Sequence, residues 1–116
     1  MSTYDRLSNF VASHSWLMGV DPKATGRELA FQRKRHNLTQ QQLSDLIDAG
    51  GLSASAEYIC TVEHGKETKA PSLSLMCFLA CLYQVSLDDL VVTYAKSQKD
   101  DAGNDPVVPL QITLAA

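Results

Sequence analysis

Between Gly26 and Val92 the apolar residues recur at steps of three and four, in short runs punctuated by Ser, Thr, Asn, Gly and Pro. That spacing gathers side chains on one face of a helix, whereas a half-buried strand requires strict alternation. The clearest start signal is Thr39 with Gln42. Hydroxyl and amide each satisfy a free backbone N–H of the first turn, and Leu43, Leu46 and Ile47 supply the buried stripe until Ala49, Gly50 and Gly51 end it. Before it, Gly26 to His36 carries Leu29, Ala30 and Arg33 at helical spacing, and Asn37 is placed for the left-handed position beyond the helix end.

After it, Ser53 and Ser55 are caps for a short helix, Ala56 to His64, that turns Ile59 and Val62 inward and stops at Gly65. Pro71 and Ser72 open a fifth helix with Leu73, Met76, Leu79, Ala80 and Tyr83 on its apolar face. Ser86, with Asp89 as capping partner, opens a sixth that runs through Val92. Near the start, Ser2 and Thr3 cap an amphipathic helix with Leu7, Phe10, Val11, His14, Leu17 and Met18, which Gly19 and Pro22 break. The fold class is therefore all-α. The expected division is an N-terminal helix and linker over 1–25, a helical domain over 26–95, and a polar linker with a short apolar tail over 96–116. In that tail Leu110, Ile112 and Leu114 alternate as in one short strand.

At 116 residues, 45% hydrophobic and 20% charged, the chain holds one domain with a core that needs neither disulfides nor metal. Three Cys is an odd count, Met1 to Phe10 lacks a basic segment followed by an apolar run, and no window nears a membrane span. These features predict a protein of the reducing cytoplasm without signal peptide, membrane segment or disulfide scaffold. Net charge is -3, which alone argues against a nucleic-acid partner, but residues 23–71 sum to +1 while 72–116 sum to -3. A basic face has its place only in the middle.

The stretch 26–92 resembles the helix-turn-helix domain of the lambda repressor, Cro and XRE family of DNA-binding regulators. The resemblance rests on Leu29 and Arg33, Leu38-Thr39-Gln40 and Leu43, Tyr58-Ile59, Val62-Glu63-His64-Gly65-Lys66, Pro71-Ser72, Leu79-Ala80, and Val85-Ser86-Leu87 with Leu90. It implies a five-helix unit in which 39–49 is the scaffold helix and 56–64 the recognition helix, lying in the major groove. It further implies base contacts from Ala56, Glu57 and Thr61, a phosphate contact from Gln40, and an ion pair between Arg33 and Glu63. Thr39 at the positive start of the scaffold helix, and Lys66 and Lys69 just beyond the recognition helix, are placed for phosphate contacts. Lys34 and Arg35 are further phosphate neutralisers.

Two features depart from the family pattern. Glu57 is an acid where Gln or Arg is usual, and can accept from a cytosine amino group while repelling phosphates. The turn around Asp48 to Ala54 is longer by roughly five residues, which closure entropy tolerates but which leaves the angle between the two helices unfixed by a short turn.

The expected function is a sequence-specific transcription regulator, a repressor that binds a palindromic operator in double-stranded DNA as a homodimer, without cofactor, metal or catalysis. The alternative is an antitoxin whose segment 96–114 wraps a toxin; a toxin or an antirepressor is the protein partner in view. Cys77 and Cys81, four apart, read as small packing residues rather than metal thiolates, since His14, His36 and His64 lack ligand spacing. Cys60 has no basic neighbour in sequence to make it a redox switch. No nucleophile–base pattern, phosphate-binding Gly loop or paired-carboxylate motif is present to name an enzyme by.

Overall fold

The computed structural model describes residues 2–67 and 70–102, with the side chains of 2–67 and 70–98. Lys69 and the tail 110–114, for which a phosphate contact and a strand were expected, lie outside the described residues. The elements in chain order are α1 (Thr3–His14), a 3₁₀ turn (Ser15–Leu17), α2 (Pro22–Arg35), α3 (Gln40–Ala49), α4 (Ala56–Glu63), α5 (Leu73–Tyr83), α6 (Leu87–Leu90) and α7 (Tyr94–Ala102). The fold is mostly helical, and the described residues form no sheet. They divide into two compact units, one within residues 20–92 and one formed by residues 2–19 with 93–102.

In the larger unit α2 packs on α4 and α6, α3 on α4, and α5 on α6. Leu29, Leu43, Ile47, Ile59, Val62, Leu75, Leu79, Tyr83 and Leu90 form the centre of its core, with Ile47 and Leu90 essentially sealed from solvent. Its two ends are fastened together at Thr25, whose Oγ1 donates to Val92 O at 3.2 Å and accepts from Val92 N at 3.0 Å. Asp21 N also donates to Val92 O at 2.7 Å. A buried side chain thus closes the unit at both termini.

The helix ends follow local chemistry. Thr39 and Gln42 form the reciprocal capping box, Ser86 and Asp89 form another, and Ser55 and Ser72 cap α4 and α5 by accepting from the N–H three residues on. Asn37 takes a left-handed conformation (φ 59°), and so does Gln84 (φ 57°), which ends α5 although nothing in its residue type announces it.

Several expectations are corrected. Pro22 opens α2 instead of breaking a pattern, because the first helical position needs no N–H, and Asp21 Oδ1 accepts from Lys23 N and Ala24 N, both at 3.1 Å. The larger compact unit runs from Val20 to Val92. Residues 96–102, read as polar linker, belong to α7, which Thr93 caps by accepting from Lys96 N.

On α5 the buried face is Leu75, Met76, Leu79, Ala80 and Tyr83, and Leu73, roughly a quarter turn away, is 70% exposed. Cys77 and Cys81 are exposed as well, so they do not pack the interior; the bulkier residues set the orientation of the helix.

The smaller unit buries little. Of the stripe expected on the first helix only Leu17 is buried, Phe10 and His14 are half-buried with rings stacked at 4.8 Å, and Leu7, Val11 and Met18 are exposed.

Candidate nucleic-acid interface

Helix α4 spends its apolar residues on the core. Ile59 and Val62 are buried, Ala56, Cys60 and Thr61 are half-buried, and Glu57 and His64 are exposed. The outward side therefore carries a carboxylate, a hydroxyl, an imidazole and two small side chains. Thr61 Oγ1 donates to Glu57 O at 2.9 Å, so the hydroxyl presents its lone pairs and its methyl outward. His64 Nδ1 donates to Cys60 O at 2.8 Å and lies 3.5 Å from Cys60 Sγ, which leaves Nε2 facing solvent. The two side chains meet at i, i+4, a contact that adjacency in sequence does not show.

The C-terminal end of α4 is locked by charge. Arg33 Nε meets Glu63 Oε2 at 2.7 Å and Arg33 Nη2 meets Glu63 Oε1 at 2.9 Å, a bidentate pair whose side chains are 10% and 5% exposed. Arg33 Nη1 donates to Leu38 O at 2.7 Å, and Gln40 Nε2 donates to Glu63 Oε1 at 3.1 Å. One buried carboxylate therefore ties α4 to the end of α2 and the start of α3. The hydrogen bond that Arg33 donates to Glu63 raises its pKa above its ordinary value, against the desolvation that lowers it. Beside them Tyr83 is buried, its ring 5.1 Å from that of His36 and its hydroxyl without a partner among the described residues. Burial pushes its pKa up to about 12, Glu63 adding and Arg33 opposing.

Close backbone approach completes the lock. A Cβ on Gly26 would lie 2.7 Å from Glu63 O and closer still to Val62 O, so only Gly lets α2 cross α4 here. At the turn after α4, Gly65 (φ 68°) lies against Lys23, and a Cβ there would sit 2.7 Å from Lys23 Cα. Lys23, to which the sequence alone gives no role, is thus the basic residue beside Lys66; both are exposed.

The long connection between α3 and α4 is anchored rather than slack. Ser44 is buried and its Oγ donates to Ala54 O at 2.6 Å, Leu52 N donates to Ile47 O at 3.1 Å, and Ala54 and Leu52 pack on the core. Gly51 supplies the left-handed residue (φ 87°). Ser44 was legible only as a hydroxyl on the Leu43–Ile47 face, a polar atom that needs a partner once buried. Between this connection and α5, a groove of about 410 Å³ is bordered by Ser53, Ser55, Tyr58 and Ser72.

Two of the expected phosphate contacts, Thr39 and Gln40, stand at the start of α3. Thr39 is exposed and its Oγ1 is occupied by Gln42 N at 3.0 Å, while Gln40 is half-buried with its amide on Glu63, so one of its two amide hydrogens is already committed. No helix among the described residues is long and apolar enough to cross a membrane. No group of three or more His, Cys, Asp or Glu among them is arranged to hold a metal ion. No protein-family model, curated protein or solved structure matches the chain.

Proposed function

We propose that the protein is a cytoplasmic DNA-binding transcription regulator of the lambda repressor, Cro and XRE type, a repressor that binds a palindromic operator as a homodimer. In this reading α2 to α6 are the five-helix unit, α3 and α4 its helix-turn-helix, and α4 the recognition helix. The observation that carries it is the lock on α4. Arg33, Glu63 and Gln40 fasten one end of a short helix to two others, while its outer side keeps polar and small side chains uncovered. A helix so held presents base-reading groups without paying much ordering entropy on binding.

Each outward group then has a chemistry. Glu57 accepts from a cytosine amino group; Thr61, its proton committed to Glu57 O, accepts from adenine or cytosine amino groups or packs its methyl on thymine; Ala56 meets a methyl. Thr39 and the backbone N–H of Gln40 lie at the positive end of α3, which suits a phosphate, and Lys66, Lys69 and Lys23 neutralise others.

The test is a salt-titrated binding assay with the DNA upstream of the protein's own gene. The reading expects tight binding whose log affinity falls linearly with log salt, and a competitor of unrelated sequence at least about 1,000-fold weaker. Equal affinity for both duplexes contradicts it.

A further inference from the structure

Helix α5 keeps two free thiols in water. Cys77 and Cys81 are both exposed, while Leu75, Met76, Leu79, Ala80 and Tyr83 hold the opposite face of the helix in the core. Free cysteine is among the residue types most often buried, and an exposed thiol is open to oxidation. The interior packing that would account for a cysteine in a helix accounts for neither of these.

Their spacing makes them a pair. Four residues of α-helix advance about 6 Å and turn about 40° past a full circle, so the two side chains stand one above the other on one face. Their Cβ atoms are then about 5–6 Å apart. A disulfide needs Cβ atoms about 3.5–4.5 Å apart, closer than an intact helix brings them, whereas a metal ion between the two sulfurs spans the longer gap. The buried face fixes the roll of α5, so both thiols are held on the solvent side before any ion arrives. We infer that Cys77 and Cys81 form a two-thiolate site for a soft cation of low coordination number, of the Cu(I) class.

The surroundings select that class. The eleven residues of α5 include no charged side chain and no histidine, so the helix offers a hard cation no carboxylate. Zn(II) takes four ligands in a structural site, or three and a water, and no group of three or more His, Cys, Asp or Glu among the described residues is arranged to hold a metal ion. Soft thiolates select Cu(I), which two of them satisfy when they bind it in a line. On binding, both S–H bonds break and the two protons pass to solvent. The cation with its two thiolates carries one net negative charge, and no electron is exchanged. These ligands lie on α5 and none belongs to the proposed base-reading set of α4, so metal uptake is measured apart from DNA binding.

The experiment is competition for Cu(I) between the full chain and bicinchoninate, a chromophoric chelator, without oxygen and with ascorbate as reductant. Every chain carries Cys60→Ser, because Cys60 Sγ lies 3.5 Å from His64 Nδ1 and the two could share an ion of their own. The reference chain, with Cys77 and Cys81 intact, should take up one Cu(I). Cys77→Ser and Cys81→Ser should each weaken uptake at least about a hundredfold, since the second thiolate no longer comes from the same molecule. Two further chains keep two thiols on α5 and change only their spacing. Leu73→Cys with Cys81→Ser sets thiols four apart again on exposed positions, and should hold Cu(I) within about tenfold of the reference. Leu73→Cys with Cys77→Ser sets them eight apart, about 12 Å along the axis, and should bind no better than a single thiol. All three positions are exposed, so the substitutions leave the core as it is. Equal uptake by the four-apart and eight-apart chains overturns the inference, because the thiols would then act singly or between chains. So does a reference chain that binds no more tightly than either single-thiol chain, or displacement of its Cu(I) by an equal concentration of Zn(II).

Discussion

Arg33 and Glu63, thirty residues apart in the chain, meet through two hydrogen bonds of 2.7 and 2.9 Å and are together the only buried ion pair among the described residues. A paired charge in the interior is weak evidence of net stability, but a stranded one is costly. Arg33→Ala and Glu63→Ala should each lose about 3–5 kcal/mol. Thermal melts should fall by more than about 10 °C for either variant. Melts within a degree or two of the parent would show that the pair does not hold α4.

Gly26 offers a test with an inverted sign. In an ordinary helix interior Gly→Ala stabilises by roughly 0.5–1 kcal/mol. Here the new methyl would meet the carbonyls of Val62 and Glu63 at the close crossing of α2 and α4. Gly26→Ala should therefore destabilise, and a variant that melts above the parent would contradict the crossing.

Ser44 holds the long connection. Ser44→Ala leaves Ala54 O buried without its 2.6 Å donor and should cost about 1–3 kcal/mol, whereas Ser53→Ala, on an exposed residue of the same connection, should stay within about 0.5 kcal/mol of the parent. Urea denaturation of both variants distinguishes the two sites. Equal midpoints would mean that the tie carries no load.

Tyr83 gives the fold an alkaline limit. Its folded pKa, about 12, lies above the ordinary value near 10, so between those pH values the unfolded chain loses a proton that the folded chain keeps. The Tyr83 contribution is complete below pH 10 and is lost as pH rises from 10 towards 12, by up to about 1.4 kcal/mol per unit. Tyr83→Phe removes a hydroxyl that has no partner among the described residues, so it should be close to neutral at pH 7 and melt above the parent at pH 11. A parent and variant that lose stability in parallel across that range would refute this.

Much of the larger unit was readable because its helix boundaries are local. Thr39 with Gln42, Ser86 with Asp89, and Asn37 each decide an end by their own chemistry, and the structure uses all of them. What sequence left hidden depends on contacts across the chain. Thr25 clasping Val92, Ser44 reaching Ala54 O and Lys23 lying against Gly65 join residues whose partners no periodicity reveals. Cys77 and Cys81 misled for a related reason. Their preference for the interior is an average, and on α5 Leu79 and Tyr83 decided which face turned inward. Gln40 shows both sides. Its place at the first turn of α3 was legible, while the hydrogen bond that commits its amide to Glu63 was not.

The central claim is that α4 reads base edges, and selection from random duplexes tests it most directly. The parent protein should enrich a palindrome with half-sites about 34 Å apart or a multiple of it. Thr61→Ala and Glu57→Ala should each change the preference at one base pair per half-site by about 1–3 kcal/mol, and Lys66→Ala should weaken all sequences alike while reducing the salt slope by about one unit. Glu57→Ala should also strengthen non-specific binding, since an exposed carboxylate repels phosphates. A selection that enriches no palindrome, or one whose base preferences survive both Glu57→Ala and Thr61→Ala unchanged, contradicts the account.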